Sequence, residues 1–139
     1  MHQSPAETML ITQVVNPALY DDTAVNGAGV DMQGWDGVLF LIPVGAMDTT
    51  LDAKAQDSAD NSTFADIAGA AITQYTATDD NKLCAIDVWR PTARFVRVVV
   101  DPGDGTLGVN TGAIAIRYRR TGKLPVTQAM KELVKKAVN

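Results

Sequence analysis

A chain of 139 residues, 46% hydrophobic and with a net charge of −4, suits one domain and can bury a core without cross-links. Its single cysteine, Cys84, excludes an internal disulfide and any all-cysteine metal site, and its place in an apolar run predicts a buried, inert thiol. There is no run of about eighteen apolar residues and no basic-then-apolar leader, so neither a membrane span nor a secretory signal is expected, and the protein should be soluble where it is made.

Charge is uneven along the chain. Residues 1–88 carry thirteen acids and two bases, whereas residues 89–139 carry three acids and ten bases. Two readings are open: strands from the two halves pair and their charges meet on a common surface, or an acidic and a basic face meet different neighbours in an assembly.

In residues 1–19, Leu10, Ile11 and Val14 fit a helical spacing, but residues 11–15 also read as a strand, and Asn16-Pro17 ends either. A terminal segment needs a partner to be ordered, which favours an N-terminal arm or edge strand. A polar loop with Asp21-Asp22 and Asn26-Gly27 follows. Residues 35–44 are the most apolar run, too short for a membrane helix and too β-branched and aromatic for a soluble one. They predict a central strand, apolar on both faces, with Pro43 at a sheet edge or bulge because proline cannot donate to a ladder. Residues 49–56 alternate, with Leu51, Ala53 and Ala55 inward, and predict a half-solvated strand. A turn over 57–62, short segments over 64–68 and 70–76 and a turn at 78–81 lead to the most regular block.

That block, residues 82–120, holds three strands. Leu83 to Trp89 form the first, ended by Arg90-Pro91. The second, 93–100, sets Val96, Val98 and Val100 on a core face and Phe95, Arg97 and Val99 on the other. After a turn through Pro102, Gly103 and Gly105, the strand 112–119 is expected to come back alongside it. In this third strand Ile114, Ile116 and Tyr118 share one face and Ala115, Arg117 and Arg119 the other, the pattern of a sheet with one solvated side. Beyond it, Met130, Leu133, Val134 and Ala137 form an apolar stripe at helical spacing, with Thr127 as N-cap and late lysines at the C-terminal end. So short a helix should dock on something.

Short strands at intervals of roughly ten residues predict an all-β fold, an antiparallel β-sandwich or jelly roll with an N-terminal arm and a short C-terminal helix. The expected division is 1–19 arm or edge strand, 20–125 sandwich and 126–139 helical tail.

Catalytic ingredients are scarce. The only histidine, His2, is terminal, so neither Ser-His-Asp nor Cys-His chemistry has a base. Zinc lacks ligands, and neither GxxxxGK[ST] nor GxGxxG occurs, so no cofactor, metal or nucleotide is expected. The carboxylate clusters Asp57/Asp60/Asn61, Asp79/Asp80 and Asp101/Asp104 would suit a calcium site or a glycosidase pair, but turns select the same residues and the turn reading is preferred. Arg117, Arg119, Arg120 and Lys123 could touch nucleic acid, but without interleaved aromatics on an acidic protein they predict a salt-bridged face or a protein contact. The chain is therefore expected to be no enzyme and to bind neither nucleic acid nor membrane.

One stretch carries a resemblance. Trp35-Asp36-Gly37, then Leu51, Gln56 and Ser58 before the Asp60-Asn61 turn, then Phe64, Asp66 and Ile67, and later Arg94-Phe95-Val96-Arg97-Val98, resemble a pattern in small structural proteins of tailed-phage head operons. The nearest resemblance is to capsid cement or decoration proteins with a jelly-roll fold, and it spans roughly residues 30–120. It implies a non-enzymatic virion protein, made in the bacterial host cytoplasm, that sits on the capsid exterior and holds neighbouring major capsid protein subunits together.

From the residues alone, an exposed edge or the tail stripe predicts self-association, most simply as a homodimer, with a trimer differing only in symmetry. The partner contacts are expected at the two ends, through Leu10, Ile11, Val14, Met130, Leu133 and Val134, with the charged face around Arg117, Arg119 and Arg120 as the other place for them. The rival class is a carbohydrate- or host-surface-binding sandwich on the virion or tail. Trp35, Phe40, Trp89 and Phe95 lie in apolar contexts that predict core positions, which argues against a glycan platform.

Overall fold

A computed structural model describes residues 4–122 and 124–136. One helical turn, α1 (Pro5–Thr8), precedes nine strands: β1 (Leu10–Tyr20), β2 (Val25–Asn26), β3 (Val30–Asp31), β4 (Trp35–Met47), β5 (Leu51–Ser58), β6 (Ala65–Ala71), β7 (Leu83–Trp89), β8 (Phe95–Pro102) and β9 (Val109–Arg120). They form two antiparallel sheets around one core, in the orders β1-β9-β4-β7 and β2-β8-β5-β6, with β3 also pairing β8. The arrangement is that of a β-sandwich.

The core is built by alternation. Val38, Phe40 and Ile42 of β4 meet Val96, Val98 and Val100 of β8 and Leu51, Ala53 and Ala55 of β5, all at most 3% exposed. A fully buried valine or isoleucine contributes about 1.5–3 kcal/mol relative to exposure, so this cluster dominates the stability. Pro43 is accommodated as its chemistry requires. It lies opposite Leu83, where the β4–β7 ladder ends, just before the register shift between Val44 and Met47 against β9, and its carbonyl accepts from Thr111 Oγ1 at 2.8 Å.

Four expectations are corrected. The strand after β8 does not come back beside it: β9 crosses to the other sheet and pairs with β1 and β4. Its faces are also reversed. Val109, Thr111, Ala113 and Ala115 are buried, while Ile114, Ile116 and Tyr118 are half-buried on the outside. Small side chains fit beneath β9 because the bulk of Phe40 and Ile42 on neighbouring β4 already fills the core there.

Third, Asn16-Pro17 does not end β1. The strand continues to Tyr20 by taking register shifts between Gln13 and Val15 and between Val15 and Ala18. Fourth, the C-terminal helix is absent from the described residues. The segment 124–136 crosses α1 and the start of β1 instead: Val126 N donates to Glu7 O, the Gln128 amide bonds Ile11 N, Ala6 O and Met9 O, and Lys135 pairs with Glu7. Isolated short helices are marginal, and these backbone partners satisfy the tail without one. Ala137 lies outside the described residues.

Candidate interaction face

The two outer faces of the sandwich differ in chemistry. On the five-stranded sheet, β5 presents Asp52, Lys54 and Gln56, which form a polar web: Lys54 pairs with Asp66 at 3.0 Å, Gln56 donates to Asp66 at 2.8 Å and Arg97 donates to Gln56 at 2.9 Å. Such a surface is satisfied by itself and by water.

The four-stranded sheet is the opposite. Register places Ile116 beside Leu39 and Ile114 beside Leu41 on its outside, with Ile11 of β1 opposite Ile116. On the far side of β4, Leu41 lies opposite Ala85 and Pro43 opposite Leu83, the latter 60% exposed. Gln13, Asn110, Asp87 and the Tyr118 hydroxyl are the polar groups among these outward positions; Asn110 lies at the far end of β9, and the last two are hydrogen-bonded to each other. A contiguous apolar sheet face is uncommon on a protein that meets only water.

One end of this face is aromatic. Gly37 of β4 lies between Trp89 of β7 and Tyr118 of β9, and the two rings close over it in an offset stack, centroids 6.0 Å apart and planes 11° apart. A Cβ on Gly37 would collide with the Tyr118 ring, so any other residue here must displace that ring. Burial, then the hydrogen bond to Asp87, pushes the Tyr118 hydroxyl up to about 12. The Arg90 and Arg119 guanidinium carbons each lie 5.1 Å from the Trp89 ring, and Arg119 pairs with Asp36 at 3.6 Å. Both arginines hold left-handed backbone, φ +50° and +55°, which long side chains seldom adopt. Beside them a shallow depression of about 500 Å³ is lined by Trp35, Asp36, Arg90 and Arg94.

The residues singled out from sequence are scattered. Ile11 is on the apolar face, half-buried Leu10 lies opposite Arg117, and Val14 is buried in the chain's own core. Arg117 is on the inner side: its Nη1 donates to Asp31 O at 2.9 Å, its Nε is buried without a partner among the described residues, and burial lowers its pKa. Arg119 and Arg120 are exposed at the aromatic end, Arg120 lying 5.2 Å over the Trp35 ring. Met130 borders a depression against Ile11 and Ile114, whereas Leu133 and Val134 are 47% and 78% exposed.

Sequence reasoning missed Leu39, Leu41, Ile114, Ile116, Leu83 and Trp89. The signal was present: β4 is apolar on both faces, and the Ile114/Ile116/Tyr118 side of β9 is its apolar side. Taking the more apolar side as core hid it. Of the four aromatics expected in the core only Phe40 is fully buried, and Trp89 is 46% exposed, which removes the objection to an aromatic platform.

No family model matches the chain, and no curated protein does. Among solved structures it is similar to the PBSX exported protein XepA, with a TM-score of 0.61 and 16% identity, over 100% of this chain and 46% of that one. It is also similar to a chain of Bacillus endospore appendages, disulfide-linked pili, with a TM-score of 0.49 and 13% identity, over 81% of this chain and 88% of that one. A carbohydrate-binding module, CBM4, aligns with a TM-score of 0.39 and 13% identity, over 88% of each chain. This chain thus spans less than half the length of XepA, and what the two share is the β-sandwich fold.

Proposed function

We propose that the protein is a non-enzymatic structural component of a tailed-phage particle, a cement or decoration protein that docks on the capsid exterior and ties neighbouring major capsid subunits together. The observation that carries this reading is the apolar outer face of the four-stranded sheet, set against the polar outer face of the other sheet. Burying it on a shell would remove Leu39, Leu41, Ile114, Ile116 and Leu83 from water, and repetition over many copies makes modest single contacts strong. The sandwich fold shared with a phage (PBSX) exported protein and the resemblance over residues 30–120 are compatible with it. Shells should bind the wild-type chain stoichiometrically, and Ile114→Lys and Leu83→Lys should cut copurification while leaving the isolated domain folded. Shells lacking the protein should assemble with normal geometry and break at lower temperature. Failure of shells to assemble without it, or undiminished copurification of both variants, sinks the reading.

A second reading rests on the aromatic end. Trp89 and Tyr118, flanked by Arg90, Arg119 and Asp87, offer a stacking surface with charged groups around it, the make-up of a saccharide platform on a virion or host-contacting surface. Under this reading acidic oligosaccharides quench Trp89 fluorescence and Trp89→Ala abolishes their retention. No quenching by acidic or neutral sugars at millimolar concentration removes it.

A further inference from the structure

The four strand edges are not treated alike. β2 and β3 are two residues long, too short to template another strand. β6 is broken by a register shift and by Gly69 at φ +79°. β1 carries Pro17, two register shifts and the Gln128 side chain on Ile11 N. These are the devices that blunt an edge. Among the described residues β7 has just one, the Tyr75 hydroxyl on the carbonyl of its first residue, Leu83. Its seven residues pair with β4 from Gly37–Trp89 to Pro43–Leu83 without a shift, and it contains no proline, glycine or lysine.

The free side of β7 can be identified. Tyr75 Oη donates to the Leu83 carbonyl at 3.2 Å, so Leu83 aims its backbone groups away from β4. By alternation Ala85, Asp87 and Trp89 do the same. Among the described residues, no backbone hydrogen bond outside the β4 ladder reaches these four.

We infer that β7 pairs antiparallel with β7 of a second copy, about a two-fold axis at Ile86, joining the two four-stranded sheets into one sheet of eight. Self-pairing permits few registers, and charge selects among them. An axis at Asp87 sets the two carboxylates directly opposite, which is unfavourable, and an axis at Ala85 sets Leu83 against Asp87. An axis at Ile86 sets Leu83 against Trp89 of the second copy, both exposed in the single chain, and Ala85 against Asp87. The ladder stops there because Arg90 turns the chain away at φ +50° and Lys82 is tied to Asp79 at 2.9 Å. The two apolar outer faces then lie on the same side of the joined sheet, side by side.

Sedimentation equilibrium of the full chain tests this, independently of shell binding, since it needs no shell. The wild type is expected to dimerise at micromolar concentration. Ala85→Pro removes only an outward-facing N–H, so it should keep the circular dichroism and give monomers. Ala85→Asp puts a carboxylate opposite Asp87 twice per dimer and should weaken association several-fold, whereas Ala85→Lys makes two opposite-charge pairs and should tighten it by a similar factor. A wild type that stays monomeric to about 100 μM, or Asp and Lys variants that shift the dissociation constant alike, overturns the inference.

Discussion

Gly37 shows how a single position can be dictated from across the sheet. Trp89 and Tyr118 belong to strands on either side of β4 and meet only because nothing projects between them. Gly37→Ala forces a ring to move and should destabilise the domain by about 1–3 kcal/mol in urea unfolding, with loss of the Tyr118–Asp87 hydrogen bond. Tyr118 also carries a pH dependence. Its folded pKa is raised from 10.0 to about 12, so the stabilisation is complete below pH 10 and is lost as pH rises through about 12. Ultraviolet titration should show the Tyr118 phenol ionising late, beside Tyr75, which burial also raises, and Asp87→Asn should bring the Tyr118 phenol to lower pH. The Trp-Asp-Gly string was legible in the sequence, but its reason was not, because the rings that require it lie about 50 and 80 positions downstream and local pattern does not reach that far.

Among the elements, β5, β7 and β8 follow from alternation and β-branched content, and β4 from its unbroken apolar run, too β-branched and aromatic for a helix. β9 was legible as a strand and wrong as to side, because its inward residues are small and hydrophobicity ranks Ile114 and Ile116 above Ala113 and Ala115. The helical stripe at the C-terminus failed for another reason: its periodicity is genuine, but the backbone partners offered by α1 and β1 outcompete one marginal helix. The ends therefore differ in how they should respond to truncation. Deleting residues 1–15 removes part of β1 and exposes the cavity left by Val14 and Val15, and should cost several kcal/mol or abolish folding. Deleting 124–139 should lower the melting temperature only slightly while accelerating hydrogen exchange at the Ile11 amide, which loses Gln128.

At the scale of the whole molecule, most pairings join distant parts of the chain: β1 lies against β9, β4 against β9, and β5 against β8. Loop closure must precede those contacts, so refolding should be slow, in the range of milliseconds to seconds, and stopped-flow tryptophan fluorescence should resolve it. The partition of strands between sheets was not legible, since alternation says which residues are inside and nothing about which neighbour a strand chooses. The opposed charge halves resolve more simply. Asp31 pairs with Arg94 at 2.8 Å, Asp36 with Arg119 and Glu7 with Lys135, so acids of the first half meet bases of the second on shared surface. These pairs are exposed and individually weak.

Cys84 gives β7 a built-in reporter. The thiol is buried, its Sγ sits 3.6 Å from the Ile42 carbonyl, and burial pushes its pKa up, so it cannot react with an alkylating probe while the strand is seated. Labelling of this single cysteine is therefore a clock for the detachment of one sheet margin. A strand held from both sides detaches less often than one held from a single side, so the alkylation half-life should lengthen as the protein is concentrated, and in the Ala85→Pro background it should not depend on concentration at all.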